Sequence, residues 1–211
     1  MPEGCREPLP TDDGRRLRRD RNRDAVARAF LELVADGDLK PSLAAVADRS
    51  GVSYRSVFRY FADQSELALT AFRRLFDHVD EIAPLHVRGD DEFEERIVGL
   101  VDQRLRLHAR IHGVVRLFRS FAVDDPAIAA ELRAQRRAAR GVVDALFAHE
   151  LDALPADRRA DVLAMVDVST SFDHLDLLLV DHELPPERVR RLVSDAVRDH
   201  FTSQLARAGT P

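Results

Sequence analysis

Ser53, Tyr54, Arg55, Ser56, Arg59 and Tyr60 stand within eight consecutive positions, and their types suit one kind of chemistry. Arginine forks can bond the O6 and N7 of guanine, while serine and tyrosine hydroxyls can bond phosphate oxygens. On a helix Arg55 and Arg59 are i and i+4 and share one face, with Tyr54 beside them at its start. Val57, Tyr60 and Phe61 recur at helical spacing and can pack inward. The result is a helix of about two turns with an apolar side and an Arg/Tyr/Ser side.

The preceding residues have the means to hold such a helix in place. Pro41-Ser42 starts a short helix, because a serine hydroxyl can accept a bond from an orphan N–H two or three residues on. Leu43, Val46 and Ala47 form its apolar face, and the small Ala44, Ala45 and Ala47 let a second helix approach. Gly51 stands where that helix must stop, since glycine reaches the left-handed backbone region at little cost. Val52 plugs the corner, and Ser53 is a second N-cap. Ser42 to Phe61 thus has the pattern of a helix-turn-helix, a device for seating one helix in the major groove of double-stranded DNA. Two short helices around a glycine also occur in ordinary helical bundles.

The run GVSYRSVFRYFADQSELA resembles the signature of the TetR family of bacterial transcriptional regulators. The matching residues are Gly51-Val52-Ser53, then Phe58, Arg59, Tyr60 and Phe61, then Glu66-Leu67, and the close match covers about Arg23 to Phe72. The resemblance implies an all-α chain of about nine helices. Its three-helix DNA-binding domain would be followed by a helical ligand-binding and dimerisation domain. It implies a homodimer on a palindromic operator, most often a repressor released by a small-molecule effector of apolar or amphipathic character. Two positions depart from the family. Phe58 stands where a tyrosine is usual and Gln64 where a lysine is usual, and both changes remove expected phosphate contacts. Ser42, Tyr60 and the N-terminal arginines, Arg16 and Arg19 among them, are then expected to carry more of the phosphate binding.

Charge is distributed in keeping with that reading. The 211 residues carry a net charge of −5, which alone argues against a polyanionic partner. Yet Arg15 to Arg28 holds seven arginines against two aspartates. Basic segments of this kind neutralise phosphates and make affinity salt-dependent. Hydrophobic residues make up 45% and charged residues 33%, as in a soluble globular protein. No apolar run approaches the roughly 20 residues needed to span a bilayer. The first ten residues lack the apolar core of a signal peptide, so a cytoplasmic location is expected. Cys5 lies in a Pro-rich stretch and, being the one cysteine, has no partner for an internal disulfide.

The expected organisation is a basic, disordered arm over residues 1–18, a helix-turn-helix domain over 19–66 and a helical domain over 67–211. The first helix should run from about Arg21 to Asp36. The fourth should run from Asp63, with Asp63 and Glu66 as a capping box, to Ala83-Pro84. Later helices are expected over 91–111, 114–122, 127–151, 156–180 and 186–206, with Pro126, Pro155 and Pro185-Pro186 near their starts. The resemblance implies that the last two pair with their copies, and Val166, Leu177, Val189, Leu192, Val193, Ala196 and Phe201 are the candidates for that interface. The alternative is core packing within one subunit. Candidates for lining an effector pocket are His108, His112, Phe118, Phe121, Phe147, Met165, Ser169, Phe172 and His174. Most aromatic or methionine residues on a helical stripe are plain core.

Enzyme chemistry finds little support. The sequence has no GxSxG, no phosphate-binding glycine loop and no paired cysteines. His108 and His112 are i, i+4, a spacing that can chelate a metal, but HARIH lacks the acidic base of HExxH. No metal, no cofactor and no catalytic residue is expected.

Overall fold

Residues 12–208 are described by the computed structural model, which leaves Cys5 outside them. They are helical, with no strand among them, and divide into two compact units between Arg74 and Leu75. The first unit holds α1 (Asp12–Ala35), α2 (Leu43–Ser50), α3 (Tyr54–Tyr60) and most of α4 (Gln64–Asp77). Val26, Ala27, Phe30 and Val34 of α1 are buried, as are Val46 and Ala47 of α2, Val57 of α3 and Leu67, Ala68, Ala71 and Phe72 of α4. α1 starts at Asp12, well before the expected Arg21, so residues 12–18 are helical where a disordered arm was expected. Arginine is a good helix former, and a run of arginines prolongs a helix without needing an apolar face.

The second unit begins with the single turn α5 (Val79–Ile82), then α6 (Phe93–Phe121), α7 (Pro126–Leu146), α8 (Ala148–Asp152), α9 (Ala156–Ser169) and α10 (Phe172–Asp176). α10 runs into a π-helical turn (Leu177–Asp181), and α11 (Pro186–Ala208) is the last helix among the described residues. The helices expected over 91–111 and 114–122 are one. Gly113 inside it costs about 1 kcal/mol, less than burying Ile111, Val114 and Val115 around it returns. The helix expected over 127–151 is instead broken at Phe147, which is fully buried. Its ring lies 6.0 Å from Phe93 and 4.9 Å from Phe201. The one expected over 156–180 is broken at Thr170-Ser171, where the Ser171 hydroxyl accepts from the His174 N–H and caps a new start.

The main core joins α6, α7, α9 and α11 through Ile97, Leu100, Val143, Leu163, Val193 and Phe201. One charged residue is built into it. Arg96 is 4% exposed; it donates to Glu150 at 2.8 and 2.5 Å, to the Leu146 carbonyl at 2.8 Å and to the Asp91 carbonyl at 2.9 Å. Breaking such a pair leaves a buried charge without its partner. Glu150→Ala should therefore destabilise the protein by about 3–5 kcal/mol in urea unfolding. Arg96→Met with Glu150→Leu should recover most of that loss.

α10 is tied down by its two aspartates. Asp176 lies 3.0 Å from His108 Nε2 and 3.2 Å from Arg116 Nε, both on α6. Asp173 pairs with Arg119 of α6 and, at 3.2 Å, with Arg136 of α7. Burial holds the His108 pKa below its ordinary 6.5, outweighing the upward pull of Asp176; burial lowers His174 as well. Both therefore prefer the neutral form when folded. The unfolded chain takes up protons near 6.5, so this stability is present above that pH and is lost as pH falls below it. Melting temperature should drop between about pH 7 and about pH 5.5, the range in which histidines titrate. His108→Gln should flatten that drop.

Candidate nucleic-acid interface

α3 is held by local caps and by contacts from two other helices. The Ser42 hydroxyl accepts from the Ala45 N–H at 3.1 Å and starts α2. Gly51 ends α2 with φ of 69°, a region that a side chain would strain. Val52 is buried at the corner, and the Ser53 hydroxyl accepts from the Ser56 N–H at 3.3 Å to start α3. The Ser53 hydroxyl also donates to Ser56 Oγ at 3.0 Å, so these two side chains satisfy one another. Val57, Tyr60 and Phe61 face inward.

The opposite side of α3 is open. Tyr54 and Phe58 are about half exposed, and their rings meet edge to face at 4.9 Å. Arg55 is exposed and has no hydrogen bond or ion pair to any described residue, so its whole fork is available. Arg59 is folded back along its own helix. It lies 3.4 Å from Ser56 Oγ and from the Tyr60 hydroxyl, with its guanidinium over the Tyr60 ring.

Tyr60 is only 7% exposed. Its hydroxyl accepts from Asn22 Nδ2 at 3.2 Å and from Arg59, and these bonds lower its pKa below 10. Its own proton is left to donate. Gln64 opens α4 and donates through Nε2 to the Pro41 carbonyl at 3.0 Å, which ties α4 to the residue before the Ser42 cap. The Glu66 N–H donates to Asp63 at 2.8 Å, whereas the Glu66 carboxylate takes the Ala62 N–H at 2.7 Å, one residue earlier than a capping box requires.

A residue that pattern reading passed over as one of many basic side chains is central here. Arg23 of α1 donates to the Tyr60 carbonyl, pairs with Glu66 at 3.2 Å and lies over the Phe61 ring at 4.5 Å. The sequence signal was its position three residues before Val26, on the inward face of α1. Arg16 and Arg19 are exposed nearer the start of α1, and Arg19 shares a face with Asn22 and Arg23.

The second unit disperses the residues named for an effector pocket. His108, His112 and Phe172 come together: the two imidazoles stack at 5.4 Å, and Phe172 is 4.7 Å from His108. Phe121 is half-buried and meets the fully buried Phe118 edge to face. Phe147 is in the main core, Met165 is 47% exposed, Ser169 is bonded to His200 of α11, and His174 is half-buried. Of the residues named for a second copy, Leu177 and Leu192 are exposed and Ala196 is half-buried. Val166, Val189, Val193 and Phe201 are instead turned into their own core, because the apolar stripe of α11 serves α6 and α9 first. Among the described residues no group of three His, Cys, Asp or Glu side chains is placed to hold a metal ion. No helix among them is long and apolar enough to cross a membrane.

No family model matches the chain, and no curated protein does. Solved structures do. A transcriptional regulator from Rhodococcus sp. Rha1 superposes with a TM-score of 0.69 at 20% identity, covering 90% of this chain and 99% of that one. A TetR family transcription regulator from Marinobacter aquaeolei VT8 gives a TM-score of 0.56 at 20% identity, covering 86% of this chain and 97% of that one. With its helix-turn-helix and the helical unit after it, the chain has the fold of TetR family transcription regulators.

Proposed function

We propose that this protein is a TetR family transcription regulator that binds double-stranded DNA through α3. The observation that carries the reading is the open side of α3, where Tyr54, Arg55, Phe58 and Arg59 stand on a helix capped and braced from behind. A free arginine fork suits a guanine edge, and an exposed aromatic beside it suits a thymine methyl. Exposed arginines on α1, including Arg16 and Arg19, supply the phosphate contacts that Phe58 does not make. Ser42, Ser53, Ser56, Tyr60 and Gln64 frame the groove, chiefly by holding α2, α3 and α4 in register.

Seven helical residues read only a few base pairs, so the protein acts as a homodimer on a palindromic operator. Exposed Met165, Val168, Leu177, Val180 and Leu192 support that assembly, being large apolar side chains left uncovered on α9, the π turn and α11. Its mode is repression, released when a small apolar or amphipathic effector binds the second unit more tightly in the released state than in the DNA-bound one. It works in the cytoplasm, needs no cofactor and is not an enzyme.

A gel shift with DNA from upstream of the protein's own gene tests the reading, and no binding at low salt would sink it. Arg55→Ala should cost about 1–3 kcal/mol and relax base preference at one position; an equal loss across all operator variants would mark a phosphate contact instead. Leu192→Glu should shift the protein from dimer to monomer in light scattering at micromolar concentration, with loss of operator binding.

A further inference from the structure

Arg104 is an arginine of the second unit that is partly withdrawn from solvent without an ion pair. It is half-buried on α6, and its one hydrogen bond runs from Nη2 to the Ala139 carbonyl of α7, at 3.0 Å. Arg96 and Arg119, on the same helix, each meet a carboxylate. Arg104 meets none among the described residues. Burial accordingly pushes its pKa down, with Asp167 of α9 opposing only in part. Asp167 is half-buried and feels Arg104, Arg136 and Arg140, yet forms an ion pair with none of them. Arg136 is already engaged by Asp173. Arg104 and Arg140 against Asp167 leave the place positive.

α7 leaves it open. From Ala129 to Val142 no side chain of this helix is fully buried, although Ile128 and Val143 on either side are. Leu132, Gln135, Ala139 and Val142 recur at helical spacing and are all half-buried. The carbonyl that the guanidinium meets belongs to a small residue, Ala139. Charges withdrawn from water are normally paired, and a guanidinium fork matches the two oxygens of a carboxylate or a phosphoryl group.

We propose that Arg104 anchors a binding site, between α6, α7 and α9, for a small molecule with an oxyanion headgroup. This narrows the effector proposed for the second unit and rests on that reading for its regulatory meaning. The binding itself does not depend on that reading. The expected effector is an amphipathic acid rather than a neutral apolar compound.

Thermal melting of the full chain tests this with octanoate, benzoate and inorganic phosphate, compared with octanol, benzamide and chloride at matched ionic strength. At least one of the oxyanions should raise Tm by about 2–4 °C, and its neutral or chloride control should not. Arg104→Met should abolish the rise while leaving the ligand-free Tm unchanged or higher, because an unpaired charge has been removed. Arg104→Lys should keep a weakened rise, since an ammonium lacks the fork. Responses to octanoate or benzoate assign a carboxylate, and a response to phosphate alone assigns a phosphoryl group. Failure of all three anions on the unmodified protein overturns the proposal. So does a rise that survives in Arg104→Met, which would place the anion elsewhere, as on the arginines of α1. The same anions added to the gel shift separate the two readings. Release of DNA from the unmodified protein but not from Arg104→Met joins the site to regulation. Arg104-dependent binding without release upholds the site and removes the effector role.

Discussion

α3 has seven residues, too few to hold a helical shape in water unaided. What fixes it is the arginine that reaches it from α1. Arg23 takes the carbonyl of Tyr60 where α3 ends, the carboxylate of Glu66 where α4 begins, and the face of Phe61 between them. One planar cation thereby sets the end of the short helix, the angle of the next and the depth of the aromatic in the core. Asn22, one residue earlier, holds the Tyr60 hydroxyl from the same helix. The caps at Ser42 and Ser53 fix where the two short helices begin, and α1 together with α4 sets how they are presented. The open face of α3 depends on this clamp from behind.

Arginine is used in several distinct ways along the chain, and environment alone separates them. Arg96 is sunk in the core with four acceptors around it and acts as a rigid joint between α6 and α8. Arg116 and Arg119 tie α10 down through its aspartates. Arg198 bridges α11 to Glu94 on α6 at the surface, where solvent weakens the interaction. Arg55 and Arg104 form no ion pair among the described residues, one on an open helix face and one inside a helical unit. A shortage of carboxylates is not the reason, since acidic residues outnumber basic ones.

How much the sequence reveals depends on the range of the forces involved. Gly51, Ser42 and Ser53 are legible because a cap is a contact over two or three residues. The all-helical class is legible from periodicity repeated over many turns. Breaks and joins are not, because Gly113 is carried through by the burial of its neighbours and Phe147 is pulled out of a helix by rings contributed from Phe93 and Phe201. The direction of an apolar stripe is illegible for the same reason. Val189 and Val193 look as free to meet a second copy as Leu192 does, and only the packing of α11 on α6 and α9 separates them. Pairs such as Arg23–Glu66 and His108–Asp176 span 43 and 68 residues, and nothing local announces them.

The π turn at Leu177–Asp181 is also a matter of counting. A π turn holds one residue more than an α turn, so it shifts the phase of the helix that enters it. Leu175 is buried just before it, while Leu177 and Val180 emerge on the outside. An unbroken α-helix advances about 100° per residue, so deleting one residue here would rewind the turn and swing the residues beyond it by about that angle. The run LDLLLV therefore behaves as a reading frame for surface and core, in which the number of residues, more than their kind, decides which leucines meet solvent.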